Sequence, residues 1–153
     1  MAHLSTRHDS KQVGVLSSEL CKRLIGRETP NDCVVQDHGL YRIGNLADVT
    51  FLRKLDIAFN PLQNVEGVDQ LPKLQHFNCY SCQLEDIEGL RGMKKIETLL
   101  LQQNSLSGRL SDCFGQFVKL KELRLDRYKI QKLGSALKNC SSLQVSVCVY
   151  IYV

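Results

Sequence analysis

The chain has 153 residues, 43% of them hydrophobic and 24% charged, and a formal net charge of +4 at pH 7. This length suits one domain, and the charge is too small to indicate a nucleic-acid-binding protein by itself. No apolar run approaches the ~20 residues of a membrane-spanning helix, and the polar start from Met1 to Gln12 is unlike a secretory signal. We therefore expect a soluble cytoplasmic protein that is not secreted, with the nucleus and the cytoskeleton as alternative locations.

The chain begins with a polar arm and a helix. Residues 1–12 show no apolar periodicity, so we expect them to be flexible. From Val13 to Ile25 apolar residues recur at steps of three and four, which predicts an amphipathic helix with Ser17 as a candidate N-cap. We interpret residues 13–29 as a helical cap over the core that follows.

One pattern is repeated between residues 52 and 130. The copies are Leu52-x-x-Leu55-x-Ile57-x-x-Asn60-x-Leu62, Leu74-x-x-Phe77-x-Cys79-x-x-Cys82-x-Leu84, Ile96-x-x-Leu99-x-Leu101-x-x-Asn104-x-Leu106 and Leu120-x-x-Leu123-x-Leu125-x-x-Tyr128-x-Ile130. Their starts are 22, 22 and 24 residues apart, and counting back 22 from Leu52 gives a degenerate first copy at Pro30. Self-similarity at this period is typical of leucine-rich repeats. Because one repeat cannot bury its own apolar face, neighbouring repeats must stack.

Short segments within the repeats also resemble those of a particular subclass. Val65-Glu66-Gly67-Val68 and Ile87-Glu88-Gly89-Leu90 resemble the SDS22-like class of leucine-rich repeats, whereas the copy at 96–119 resembles a plant-type repeat. The resemblance implies an α/β leucine-rich-repeat solenoid with a curved parallel sheet on its concave side, an N-terminal capping helix and about five repeats over residues 30–143. It also implies a protein partner such as a phosphatase subunit or a cytoskeletal or ciliary component.

The ninth position of each repeat is expected to be buried and polar. A side-chain amide there can hydrogen-bond backbone groups that are left unpaired where the strand bends away. Asn60 and Asn104 suit this role, whereas His38 and Tyr128 do so imperfectly. We call the row of these side-chain-to-backbone hydrogen bonds the ladder, and we expect it to be looser in the first and fifth repeats.

The seven cysteines indicate a reducing compartment. Their number is odd, Cys33 and Cys79 occupy apolar positions of the repeat, and Cys82 occupies the asparagine position. Cys79-x-x-Cys82 has a metal-like or redox-like spacing, but no second ligand pair accompanies it, which favours a structural role. The sequence contains no recognisable phosphate loop or catalytic motif. We expect neither a metal nor a cofactor, and no enzymatic activity.

Positions between the buried ones should form columns across the concave face. Apolar and aromatic side chains beside arginines are the composition of protein-interaction hot spots. The predicted partner-binding residues are Asp56, Phe59, Asn78, Tyr80, Leu100, Gln102, Arg124, Asp126 and Arg127. They predict a non-catalytic adaptor or regulatory subunit.

A basic stretch suggests an alternative function. Residues 119–138 contain seven Lys and Arg against two acids, which indicates either a solvated surface or a phosphate-binding face. In the second case the chain would be a component of a ribonucleoprotein particle.

The C-terminal residues 144–153 do not fit a sixth repeat. After Leu143 the apolar alternation runs in the opposite phase, and the segment from Val147 to Tyr152 is what GT and TA dinucleotide tracts encode. The tail is either the product of a truncated or altered transcript, which would make the chain a fragment without specific function, or a genuine terminal strand.

Overall fold

The computed structural model describes residues 14–106, 114–125 and 137–144. Its elements in chain order are β1 (Val15–Leu16), α1 (Ser18–Leu24), β2 (Asp32–Val34), β3 (Arg42–Ile43), a 3-10 helix (Ala47–Val49), β4 (Lys54–Asp56), a 3-10 helix (Val68–Gln70), β5 (His76–Asn78), a 3-10 helix (Glu88–Leu90), β6 (Thr98–Leu100) and β7 (Glu122–Arg124). The predicted flexible arm at residues 1–12 lies outside the described residues, as does the C-terminal tail apart from Gln144.

Each described repeat contributes one short strand to a parallel sheet of order β2-β4-β5-β6-β7. The middle residues of these strands pair in a single row and are at most 1% exposed; they are Cys33, Leu55, Phe77, Leu99 and Leu123. Because side chains alternate across a strand, this row faces the core and the flanking residues face the opposite, concave side. The predicted parallel sheet is confirmed.

The N-terminal helix covers the first repeat, as the amphipathic pattern predicts. Ser17 is its N-cap, and the Ser17 hydroxyl accepts a hydrogen bond from the Leu20 backbone N–H at 3.2 Å. The helix is shorter than its apolar periodicity suggests, because residues 15–16 form a parallel strand beside β3 instead. Leu20 and Cys21 are buried in the common core.

Asparagine side chains hold the backbone where the strands end. The Asn60 amide oxygen accepts from the backbone N–H groups of His38 and Leu40 at 3.0 and 2.9 Å, and its nitrogen donates to the carbonyls of Val35 and Ile57 at 2.7 and 2.8 Å. These bonds connect two consecutive repeats through one buried side chain.

Asn104 makes the same set of bonds two repeats further along the solenoid. Its oxygen accepts from the backbone N–H groups of Cys82 and Leu84, and its nitrogen donates to Cys79 and Leu101 carbonyls. Between the two asparagines stands Cys82, whose thiol donates to the Ile57 carbonyl at 3.1 Å. The thiol cannot reproduce the two-sided bonding of an amide.

The convex side carries the short 3-10 helices and one close approach of backbone to backbone. A Cβ atom added to Gly89 would lie 2.3 Å from the Val65 carbonyl oxygen, so this position excludes any side chain. The glycine of the Ile87-Glu88-Gly89-Leu90 segment is therefore required by packing between neighbouring repeats. Among the described residues, no helix is both long and apolar enough to cross a bilayer.

Candidate functional site

The predicted columns of the concave face are present in the structure. Asp56, Asn78, Leu100 and Arg124 occupy equivalent positions of four neighbouring strands, in the order and register that the repeat predicts. Tyr80 and Gln102 follow two residues after their column members. Asp126 and Arg127 lie outside the described residues, so their placement on this face stays a prediction.

Asp56 is held within a network of side-chain hydrogen bonds. It is only 8% exposed, and its Oδ2 accepts from Gln36 at 2.8 Å and from Asn78 at 3.1 Å, while its Oδ1 accepts from the Ala58 backbone N–H at 3.2 Å. A carboxylate with these donors is satisfied without a ligand. The side chains that cover it, Gln36 and Asn78, are therefore the surface that a partner would meet at this position.

The ends of the strands carry an aromatic pair. The rings of Phe59 and Tyr80 meet edge to face, with their centroids 5.1 Å apart and an interplanar angle of 68°. Phe59 is 50% exposed, and Tyr80 is half-buried. We call these two residues the aromatic step. An edge-to-face contact of this kind adds about 0.5–1.5 kcal/mol beyond the area that it buries.

Phe59 also has an unusual backbone conformation. The eighth residue of four successive repeats is left-handed, with φ between 52° and 60°: Asp37, Phe59, Ser81 and Gln103. Three of their N–H groups, those of Asp37, Phe59 and Ser81, donate to a carbonyl of the next repeat at 2.9–3.1 Å, so the stacking imposes the conformation. Polar residues tolerate left-handed backbone better than a bulky side chain does. Phe59 alone among the four is bulky and apolar.

The C-terminal half of the described face carries one apolar and one charged column residue. Leu100 is half-buried, and Arg124 is exposed and donates to Glu122 at 2.6 Å. The Oε1 atom of Gln102 is buried and accepts no hydrogen bond from any residue that the structure describes. A buried acceptor without a donor costs stability.

The beginnings of the strands form a groove of about 550 Å³. Its lining residues are Asn31, Asp32, Arg53, Lys54, Leu55, Asp56, Gln75, His76, Phe77, Asn78, Thr98 and Leu100. Of these residues, the predicted site contained only Asp56, Asn78 and Leu100. Three of the omitted residues occupy the second position of their repeats: Asn31, Arg53 and Gln75. The second position lies directly before each strand, so its side chain reaches the same surface as the columns. This spacing was the sequence feature that could have predicted these residues.

The Cys79 and Cys82 thiols are part of the core. Burial raises the pKa of the Cys79 thiol, which keeps it protonated, and a hydrogen bond from Cys79 lowers the pKa of Cys82. Both side chains are fully buried. Within residues 14–106, 114–125 and 137–144, no group of three or more His, Cys, Asp or Glu side chains could hold a metal ion.

Comparison with known proteins agrees with this geometry. The family described as "Leucine Rich repeats (2 copies)" matches residues 50–92. An internalin (inlF) from Listeria monocytogenes is similar in structure, with a TM-score of 0.59 and 25% sequence identity over 68% of this chain and 32% of the internalin chain. The fold is a leucine-rich-repeat solenoid. The matched part of this chain spans about a third of that internalin's length.

No curated protein sequence matches the chain. The two matches support the leucine-rich repeats and their parallel sheet, and such domains generally mediate protein–protein interaction. The finer assignment to the SDS22-like class stays a prediction.

Proposed function

We propose that this solenoid is a non-catalytic interaction module, an adaptor or regulatory subunit, that holds a segment of a partner protein against its concave face. The aromatic step is the observation that carries the proposal. Phe59 exposes half of a large apolar side chain and does so from a left-handed backbone. Both features cost free energy in the isolated chain, the backbone alone about 1–2 kcal/mol. A partner that covers the ring would offset these costs.

The neighbouring surface supplies what an interface around an aromatic anchor needs. The amide side chains of Gln36 and Asn78, held by Asp56, give a fixed polar rim, and the groove beside them can accept a side chain of the partner. Interfaces commonly combine such an apolar centre with a polar rim. The resemblance to the SDS22-like class favours a phosphatase subunit or a cytoskeletal or ciliary protein as the partner.

We propose a reducing compartment such as the cytoplasm as the location. The five cysteines among the described residues are all buried as free thiols, and such thiols persist where glutathione and thioredoxin keep them reduced.

The nucleic-acid alternative has weaker support. Of the basic residues in the 119–138 stretch that the structure describes, Lys121 bonds to Glu97 and Arg124 bonds to Glu122. These pairs reduce the positive charge that a phosphate backbone would meet.

The test replaces the aromatic step with the residues that neighbouring repeats use at the same positions. Phe59→Asp copies Asp37, and Tyr80→Gln copies Gln102, so both changes suit the local backbone. We expect the double variant to keep the circular-dichroism spectrum of the parent and to lose its specific partner in affinity capture followed by mass spectrometry.

A control removes equal apolar character elsewhere. Tyr41→Ser and Leu24→Ser alter two exposed side chains, 61% and 37% exposed, which lie next to β3 and in α1, outside the five-stranded sheet. This variant should keep the partner. Capture that is lost from both variants, or from neither, contradicts the proposal.

A further inference from the structure

The turns that lead into the strands are built alike. In each turn, the backbone N–H of the last residue donates to the carbonyl three residues earlier, at 3.0–3.3 Å. The donor residues are Leu52, Leu74, Ile96, Leu120 and Leu143. The residue just before each of these positions is exposed in the first four turns, and three of them in succession are lysines: Lys73, Lys95 and Lys119. Since neighbouring parallel strands lie about 4.8 Å apart, repeat stacking places these lysines in one row.

Other cations join this row. Lys94 shares a turn with Lys95, and Arg53 and Lys121 follow the buried first residue of their repeats. We call these six residues, Arg53, Lys73, Lys94, Lys95, Lys119 and Lys121, the basic edge. Only one acid, Glu97, occupies the corresponding positions of the repeats that start at Leu52, Leu74, Ile96 and Leu120.

The surroundings of Glu97 reflect this accumulation of positive charge. A hydrogen bond from Lys121 lowers the pKa of Glu97, and the charges of His76 and Lys119 lower it further. Lys121 lies 2.5 Å from the Glu97 carboxylate. The other five cations form no ion pair among the described residues.

Acids gather on a different part of the repeat. The segments after the asparagine position carry five exposed carboxylates: Glu66, Asp69, Glu85, Asp86 and Glu88. Three of them, Glu66, Asp69 and Glu88, line a separate surface depression together with Gly67, Gly89 and Arg91, and Arg91 pairs with Glu88. The net charge of +4 thus conceals a separation of charge across the solenoid. Like charges on neighbouring strands repel, so a ligand of opposite charge would relieve the basic edge.

We propose that the basic edge binds an acidic polypeptide segment, a run of Asp and Glu side chains in the protein that the concave face holds. This inference rests on the proposed function for the identity of that protein. Charge complementarity favours the acidic segment, and the groove that contains Arg53 makes the edge continuous with the concave face. A single-stranded nucleic acid would also need several aromatic platforms among the cations. The row of turn residues offers one exposed ring, Phe51, at its N-terminal end, and the aromatic step lies at the other end of the strands.

The experiment measures binding of a fluorescein-labelled glutamate dodecamer to the full chain by fluorescence anisotropy at low ionic strength. The edge variant carries Lys73→Glu, Lys95→Glu and Lys119→Glu. We expect it to bind the peptide about tenfold more weakly, because three exposed pairs are replaced by repulsion. Glu97→Gln changes the charge in the opposite direction and should tighten binding about twofold.

The matched control carries Arg23→Glu, Arg27→Glu and Arg42→Glu, three exposed arginines near the N-terminal helix. It has the same net charge as the edge variant and should lose less than about threefold. Equal losses in the two triple variants, or no effect of Glu97→Gln, would overturn the proposal. If the edge variant does not fold, the lysine-to-glutamine triple variant replaces it.

Two further arms identify the ligand class and separate the two proposals. A uridine dodecanucleotide that binds more tightly than the peptide, and is lost in the edge variant, would assign the edge to nucleic acid and overturn the acidic-segment proposal. The Phe59→Asp, Tyr80→Gln variant should bind the glutamate peptide normally. If the peptide fails to bind the parent chain while partner capture still depends on the aromatic step, only the basic-edge proposal is wrong. If the peptide binds at the basic edge but partner capture does not depend on the aromatic step, only the proposed function is wrong.

Discussion

The two faces of the central sheet differ in how much they vary between repeats. On the inner face, the middle residues of the five strands are all buried and apolar, and Asn60 and Asn104 make nearly identical bonds at a distance of two repeats. On the concave face, the residues at equivalent positions change from Asp56 to Asn78 to Leu100. The inner face is constrained by stacking, whereas the concave face is available for recognition.

A charge placed on the inner face should have the largest effect. Leu55→Asp buries an unpaired carboxylate in the core, at a cost of several kcal/mol, which is comparable with the whole stability of a typical domain. We expect a loss of cooperative thermal unfolding in circular dichroism. Thr98→Asp, on the concave side of β6, is the control and should remain folded. Similar melting curves for the two variants would contradict the division into two faces.

Removal of a ladder amide should have the next largest effect. Asn60→Ala leaves the N–H groups of His38 and Leu40 and the carbonyl of Val35 without this partner. With about 1–3 kcal/mol for each buried unsatisfied group, we expect a loss of about 3 kcal/mol in urea denaturation. Asn64→Ala removes one exposed contact, to the Glu66 backbone, and should cost less than about 1 kcal/mol. Equal costs would show that the ladder has no special role.

Cys82, which lies between Asn60 and Asn104 in the row of repeats, allows an amide to be introduced instead of removed. Cys82→Asn would restore the two-sided bonding of an amide, and we expect a gain of about 1 kcal/mol, measured as a rise in melting temperature. Asn104→Cys makes the reciprocal change and should lower it. A loss of stability in Cys82→Asn would mean that the packing around Cys79 has no room for an amide.

The smallest effect on stability is expected on the concave face. Phe59→Asn relieves about 1–2 kcal/mol of left-handed backbone cost and removes an edge-to-face contact worth about 0.5–1.5 kcal/mol. The free energy of unfolding in urea should therefore change by less than about 1 kcal/mol. A loss above about 2 kcal/mol would place Phe59 in the structural part of the repeat. Comparison with Tyr80→Gln and the double variant isolates the contact between the rings.

The repeat made much of the fold and part of the candidate site predictable. A period of 22 residues places Lys54, His76 and Thr98 on adjacent strands once stacking is assumed, and Ser17 was recognisable as a cap from its place before the apolar stripe. Two further features were not predicted correctly. The helix was predicted too long, because pairing of Val15 and Leu16 with β3 depends on a distant segment. The row of Lys73, Lys95 and Lys119 was not predicted, although its spacing is that of the repeat, because these lysines lie in the turns before the strands and not in the strand columns.

The sequence by itself determined which side chains face inward and which share a column, because both follow from the spacing of apolar residues along the chain. Only the tertiary structure decided how those side chains meet. Burial of Asp56 beneath Gln36 and Asn78, the left-handed backbone of Phe59 and its contact with Tyr80 all depend on bonds between residues about one repeat apart. Such contacts exist only after neighbouring repeats have stacked, since no repeat can form them alone.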